Sequence, residues 1–94
     1  MTDQELTEIV TKILRDRVPE AGFEGAEAVS DLDSDGDPVI RVTAHYQRRP
    51  RRTPDPLIGA AHAIRSALLD VGEDRFILLK NDVLEERETE EDLD

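Results

Sequence analysis

The chain contains no cysteine and no tryptophan, and aromatic residues make up only 3% of it. The absence of cysteine excludes disulfide bonds, thiolate metal sites and thiol nucleophiles. With so few aromatic rings, the core is expected to consist mainly of leucine, isoleucine, valine and alanine. A chain of 94 residues, 37% of them hydrophobic, then forms one small domain with little room for a large ligand cavity.

Long apolar runs are also absent. No segment approaches the roughly 18 consecutive apolar residues that a membrane-spanning helix requires. The first eight residues are acidic, whereas a secretion signal would be basic and then apolar. We therefore expect a cytoplasmic protein with no membrane partner.

Positive charge is scarce and unevenly placed. The chain carries 23 acidic and 12 basic side chains, which gives a formal net charge of -11. Four of the 12 basic residues lie within one short stretch, at Arg48, Arg49, Arg51 and Arg52. This segregation indicates a dedicated partner, which is a phosphate backbone, an acidic protein surface or the acidic C-terminal residues of the chain itself.

Two segments have the pattern of helices. The first is predicted from about Asp3 to Val18, because Thr2 and Glu5 have the spacing of a capping box and apolar residues then recur at helical period. The second is expected over residues 55–71, since an Asp-Pro pair stands at its start and a glycine follows its end.

Three further segments have the pattern of strands. Gly25 to Leu32 alternates charged and small residues, as an edge strand does, and an Asp- and Gly-rich turn joins it to the clearest strand, Val39 to Tyr46. Arg75 to Val83 holds a nearly continuous apolar run, which predicts burial on both faces. After a single domain of residues 1–84, the mostly acidic stretch Glu85 to Asp94 is expected to be a disordered tail.

The order helix, strand, strand, helix, strand predicts an α+β fold. We expect the first two strands to form an antiparallel hairpin and the third to lie parallel to a neighbour, in a three-stranded mixed sheet with two helices on one face. The other face of the sheet then stays exposed. Its apolar residues predict that a second copy of the chain or another protein covers it.

This order of elements resembles that of the type II KH fold and of small proteins built like it, such as BolA proteins and ribosome-binding factor A. The resemblance implies an RNA-binding use of the loop from Arg48 to Arg52. A KH domain clamps nucleotides with a Gly-x-x-Gly loop. Between the second and third strands this chain has only Gly59 and Gly72, which are too far apart to form such a loop.

An acidic turn carries the one metal-like pattern. Asp31, Asp33 and Asp35 precede Gly36 in the spacing of the first half of a calcium loop, where alternating carboxylates point to a common centre. The second half does not fit, because its twelfth position is Val42 instead of glutamate. Aspartate and glycine are also what tight turns favour, so these three aspartates are a weak candidate metal site.

Residues that could carry catalysis are few. The two histidines, His45 and His62, have no cysteine, no third histidine and no carboxylate at a fixed spacing beside them. The chain has no glycine-rich phosphate loop, no serine nucleophile elbow and no paired-carboxylate signature. The sequence therefore predicts a protein that is not an enzyme and takes no cofactor.

The function that the sequence favours is a small protein-interaction or regulatory module, working as a homodimer or with another protein. It would act through a sheet surface, the arginine-rich loop and the acidic tail. Because guanidinium groups bind carboxylates and phosphates bidentately, the four loop arginines are candidate contacts, with Arg41 and Tyr46 beside them. The alternative is a KH-like RNA-binding protein that uses the same loop, with Tyr46 as the nearest ring for base stacking.

Overall fold

The chain forms an α+β fold with its elements in the predicted order, as a computed structural model that describes residues 1–87 shows. The predicted ends of the two helices and three strands agree with the observed ones to within two residues. The elements are helix α1 (Asp3–Arg17), a 3₁₀ turn (Pro19–Ala21), strands β1 (Phe23–Leu32) and β2 (Pro38–Tyr46), helix α2 (Pro56–Asp70) and strand β3 (Phe76–Val83).

The three strands form one mixed sheet in the order β1-β2-β3. Strand β1 pairs antiparallel with β2, and β2 pairs parallel with β3. A hairpin turn suffices for the first connection, whereas a parallel pair requires a crossover, which α2 supplies. The predicted mixed sheet is confirmed, and both β1 and β3 are edge strands among the residues described.

Both helices begin and end where their capping residues predict. The Thr2 hydroxyl accepts a hydrogen bond from the Glu5 amide at 3.1 Å, and the Glu5 carboxylate accepts one from the Thr2 amide at 3.1 Å. At the start of α2, the Asp55 carboxylate accepts from the Leu57 amide at 2.9 Å. After α2 the chain turns at Gly72, whose φ of 84° favours glycine over any residue with a side chain.

The core lies between one face of the sheet and the two helices. Alternate residues of β2 point into it, namely Ile40, Val42, Ala44 and Tyr46, which are at most 1% exposed. Each helix adds its apolar stripe to the same cluster, with Leu6, Val10 and Leu14 from α1 and Leu57, Ala60, Ile64 and Leu68 from α2. The chain therefore covers one face of its sheet and leaves the opposite face, hereafter the open face, without helices.

Strand β3 differs from its predicted environment. The apolar run was predicted to be buried on both faces, yet Phe76 is 63% exposed while Ile77 is buried. Leu78 and Leu79 are half-buried. The reason is that β3 lies at the edge of the sheet and has helices on one side only, so the chain by itself does not complete the burial of this strand.

Helical structure crosses the boundary that was predicted between residues 84 and 85, because residues 84–87 are helical. The rest of the predicted tail, residues 88–94, lies outside the described residues. Within residues 1–87, no helix has both the length and the apolar character that spanning a membrane would require.

Candidate functional site

The arginine segment, residues 48–52, is largely paired with acidic side chains of the same chain. Arg49 donates two hydrogen bonds to the carboxylate of Glu86, at 2.5 and 2.9 Å. Arg51 donates to Glu85 at 3.2 Å. Of the three partners that the sequence left open for this segment, its own acidic C-terminal residues are in contact with it.

The other two arginines of the segment differ from each other. Arg52 pairs with Glu20 at 2.7 Å. Arg48 donates its backbone amide to the Ala21 carbonyl at 3.1 Å, and its exposed guanidinium has no ion pair within residues 1–87. The segment thus presents less free positive charge to a partner than its sequence indicates.

Of the two additional contacts predicted, Arg41 is at the surface and Tyr46 is not. Arg41 lies on the open face and donates to Asp31 at 2.5 Å. Tyr46 is 1% exposed, and its ring packs on that of Phe23 with centroids 5.7 Å apart. The predicted partner contact of Tyr46 is therefore wrong, because the ring lies on the core face of β2, where no base or partner can stack on it.

The three aspartates of the acidic turn do not converge. Asp33 accepts hydrogen bonds from the backbone amides of Asp35 and Asp37, both at 2.9 Å, whereas Asp31 is turned towards Arg41. Within residues 1–87, no three histidine, cysteine or acidic side chains come close enough to hold a metal ion. The candidate calcium site is not formed, because Asp33 shapes the turn and Asp31 belongs to the sheet.

His45 has two carboxylate partners that sequence spacing did not reveal. Its Nδ1 lies 2.9 Å from Asp82 Oδ2 on β3, and its Nε2 lies 2.8 Å from Glu27 Oε2 on β1. Asp82 and then Glu27 raise the pKa of His45, because a hydrogen-bonded carboxylate favours the protonated ring. Only the strand register, which sets His45 opposite Asp82, signals this cluster.

The open face of the sheet mixes charged and apolar side chains. Val29 is 48% exposed, and Leu78 is half-buried in the position opposite Arg41. By register Val39 and Phe76 belong to this face as well; Val39 is buried and Phe76 is exposed. Arg41 and the ion pairs of His45 lie among these apolar positions. The prediction that a partner covers this face remains a prediction.

The two edges of the sheet differ in whether their outward backbone groups are hydrogen-bonded. On β1, the Thr7 hydroxyl of α1 bonds both the amide and the carbonyl of Ala28, at 3.0 and 3.3 Å. The carboxylate of Asp3 accepts from the Ser30 amide at 3.1 Å. Helix α1 therefore satisfies outward backbone groups of β1, and this edge is closed to a further strand.

The outer edge of β3 has no such cover. The hydrogen bonds of its backbone within residues 1–87 run to β2 alone. Every second residue of an edge strand directs its amide and carbonyl outward. Strand β3, from Phe76 to Val83, thus offers a row of unpaired backbone donors and acceptors.

A groove runs between α2 and β3, alongside this free edge. It consists of two adjoining cavities of about 390 and 190 Å³, and Arg65 of α2 lines both. Towards the N-terminal end of α2 the walls include Ile58 and Ala61 above Leu79. Towards the other end they include Leu69 and Phe76; we refer to the two cavities together as the groove.

The side chains of the groove are incompletely satisfied within the chain. Ile58, Leu69 and Phe76 are 61%, 61% and 63% exposed. The Arg65 guanidinium lies 6.0 Å from the centre of the Phe76 ring and has no ion pair in the described part of the chain. The side-chain oxygen of Asn81, another lining residue, is buried and accepts no hydrogen bond there.

A larger cleft of about 620 Å³ lies at the start of α2, lined by Arg17, Arg52 and His62. Its basic side chains give it the character of an anion site. Arg52, however, is already paired with Glu20, and the first turn of α2 is capped by the Asp55 carboxylate. Because an anion there would compete with two resident carboxylates, the groove beside β3 is the better candidate.

Comparison with models of protein families, with curated proteins and with solved structures gives no match to this chain.

Proposed function

We propose that the protein is a non-enzymatic interaction module that binds another protein by accepting an extended segment of it as a fourth strand beside β3. The observation that carries this proposal is the contrast between the two sheet edges. Helix α1 satisfies outward groups of β1 at Ala28 and Ser30, whereas the outer edge of β3 has no partner among the described residues.

An added strand would give the β3 backbone the hydrogen-bond partners, and the groove the side-chain contacts, that they do not have within residues 1–87. An incoming backbone would pair with the free amides and carbonyls of β3, and its alternate side chains would enter the groove beneath α2. The exposed side chains of Ile58, Leu69 and Phe76 would lose contact with water. Main-chain pairing supplies affinity in this mode, and the side-chain sites supply specificity.

In this proposal the arginine segment has a structural part. Arg49 and Arg51 hold the helical residues 84–87 against the loop, close to the end of β3 at Val83. The segment therefore helps fix the C-terminal end of the strand that receives the partner. The compartment that we expect is the cytoplasm, with which the absence of cysteine is compatible.

The structure gives less support to the RNA-binding alternative than the sequence does. Three of the four arginines in the segment have carboxylate partners, and the ring of Tyr46 is buried. We therefore expect no mobility shift of a labelled single-stranded RNA at low salt. A shift that weakens steeply with salt and disappears when the four arginines become serine would favour the alternative instead.

A library of random twelve-residue peptides displayed on phage tests the proposed function. We expect it to yield binders that protect alternate β3 amides, between Phe76 and Val83, from hydrogen exchange. Methylating the peptide's amide nitrogens one at a time should weaken binding strongly at every second position, because only those amides pair with β3. Binding that is uniformly insensitive to N-methylation, or failure to obtain any binder, would overturn the proposal.

A further inference from the structure

We infer that the groove selects an added strand in which an acidic residue stands between two apolar residues, each two positions away from it. The pattern is apolar, any, acidic, any, apolar. This inference rests on the proposed function and specifies the chemistry of the partner segment. It follows from the spacing of three positions on α2 and from the free charge at the middle one.

The spacing of the α2 side chains matches that of a strand. Ala61, Arg65 and Leu69 are four residues apart and line the groove in that order. Four residues of helix advance about 6 Å along its axis. Two residues of a strand, which bring the next side chain to the same face, advance about 6.6 Å. For an added strand that runs along the axis of α2, the two rows therefore stay within about 1.5 Å of register over three positions.

Arg65 defines the middle site. It is the one α2 side chain that lines both cavities along with β3 residues. No carboxylate of the described residues pairs with it, and its guanidinium lies over the Phe76 ring at 6.0 Å from the centroid. A planar guanidinium held in this way has donors free for a bidentate bond to a carboxylate.

Apolar side chains define the two end sites. At one end the exposed Leu69 lies near the buried Ile77, and Phe76 lines the same cavity from the first position of β3. At the other end Ile58 and Ala61 lie across from Leu79. Because both ends are apolar, the pattern reads the same in either direction, and the inference does not depend on whether the added strand runs parallel or antiparallel to β3.

Most of the other charged side chains along the groove are already engaged. Glu73 binds Arg75 at 2.8 Å, and Asp55 caps α2 through the Leu57 amide. Arg49, at the far end of the first cavity, is held by Glu86. Asp74 also lines the second cavity and has no ion pair within residues 1–87, but it lies at the Leu69 end, where it helps raise the pKa of Arg75. The free charge at the middle of the groove is that of Arg65, so complementarity there calls for an acidic residue.

The same pattern argues for a segment of another protein over a second copy of this chain. The acidic residue within β3 is Asp82, and the residue two positions before it is Lys80. A second β3 that placed Asp82 beside Arg65 would therefore bring a lysine to an apolar end site. Asp82 is also held by His45 and Arg87 in its own sheet.

Calorimetry with a defined synthetic peptide tests the inference. The probe is a nine-residue peptide, acetylated and amidated, with the central sequence isoleucine-threonine-aspartate-threonine-isoleucine. We expect one-to-one binding, and a loss of affinity of about tenfold when the aspartate becomes asparagine, because a charge-assisted bond becomes a neutral one. Replacing either isoleucine with serine should weaken binding by a similar factor of about ten, since an apolar contact is lost.

Reversing the charge of Arg65 tests the inference more directly. Arg65→Glu should abolish binding of the aspartate peptide and restore binding of the same peptide with lysine at its centre. Arg15→Glu is the matched control, because Arg15 is an exposed arginine on α1, away from the groove. Circular dichroism and the thermal midpoint should show that both variants fold. An unchanged preference for aspartate in Arg65→Glu would overturn the inference.

Failure of this inference and failure of the proposed function give different results. If the random library yields strand-adding peptides without an acidic centre, the inference is wrong and the proposed function stands. If no peptide protects β3 amides, both fail. Sedimentation of the protein alone gives a third outcome: a dimer that the β3 edge forms, identified by protection of the same amides, would show that a second copy occupies the edge and would overturn the inference.

Discussion

The hydroxyl of Thr7 bonds Ala28 twice, accepting from its amide at 3.0 Å and donating to its carbonyl at 3.3 Å. This pair ties α1 to the outer edge of β1. We expect Thr7→Val to lower the free energy of unfolding by about 1–2 kcal/mol, because two backbone groups lose their partner while the volume of the side chain hardly changes. Urea unfolding followed by circular dichroism measures the change.

Thr7→Ser is the control for this prediction, because it keeps the hydroxyl and removes a methyl group. It should retain most of the stability that Thr7→Val loses, and hydrogen exchange at Ala28 should stay slow. If the two variants lost equal stability, the hydrogen bonds of the Thr7 hydroxyl would not be what stabilises the outer edge of β1.

The two carboxylates that flank His45 make stability depend on pH. Asp82 and Glu27 raise its folded pKa above the ordinary value of 6.5. The interaction therefore contributes fully at pH values below 6.5, where the ring is protonated in both states, and is lost as pH rises through the folded pKa. We expect the free energy of unfolding to fall as the pH rises from 6.5 through the raised folded pKa, and an NMR titration of the His45 ring to show that this pKa is raised.

His45→Gln should remove most of that pH dependence, because glutamine does not titrate. The matched control is His62→Gln on the exposed side of α2, which should leave the decline with pH in place. Equal pH profiles for the wild type and His45→Gln would show that the ion pairs of His45 do not contribute to stability.

Most of the fold can be predicted from local sequence patterns, whereas the candidate site depends on contacts between residues that are far apart in the sequence. The capping box of Thr2 and Glu5 and the alternation of β2 are set by neighbours within a few residues, so the sequence predicts them. His45 meets Asp82 across 37 positions of the chain, and this contact depends on the register of β3 against β2. Sequence spacing holds no signal for such a register when the connection is a helix.

The groove could not be predicted for the same reason. Arg65 and Leu69 have the spacing of a helix face, and Phe76 belongs to an apolar run, but their meeting depends on how α2 lies over β3. The sequence did indicate that β3 has more apolar surface than a single helical layer can cover. The alternation of β2 also sets Tyr46 on the same face as Ile40 and Val42, where it is buried. The sequence could not show that Arg49 turns towards Glu86.

The acidic turn is predicted to be structural and not a calcium site. Asp33 accepts from two backbone amides, those of Asp35 and Asp37, so Asp33→Ala should lower the free energy of unfolding by about 1 kcal/mol, because both bonds are at the surface. Asp35→Ala is the matched control and should be neutral, since the Asp35 side chain is exposed and accepts no hydrogen bond within residues 1–87. Calorimetry with calcium should give no heat, and a rise in thermal midpoint with calcium would contradict this interpretation.

The hydroxyl of Tyr46 is a polar group in the core with no hydrogen-bond partner among the described residues. Burial raises its pKa to about 12, because the charged phenolate is poorly solvated there. Tyr46→Phe removes the unpaired hydroxyl and keeps the ring against Phe23. We expect it to raise the free energy of unfolding by about 1 kcal/mol, since an unpaired buried hydroxyl costs free energy that phenylalanine does not.

Tyr46→Leu keeps an apolar group but loses the ring contact, and it should destabilise the protein by about 1–3 kcal/mol. A loss of stability in Tyr46→Phe would mean that the hydroxyl has a partner, and the preference of the core for an apolar ring at this position would be refuted.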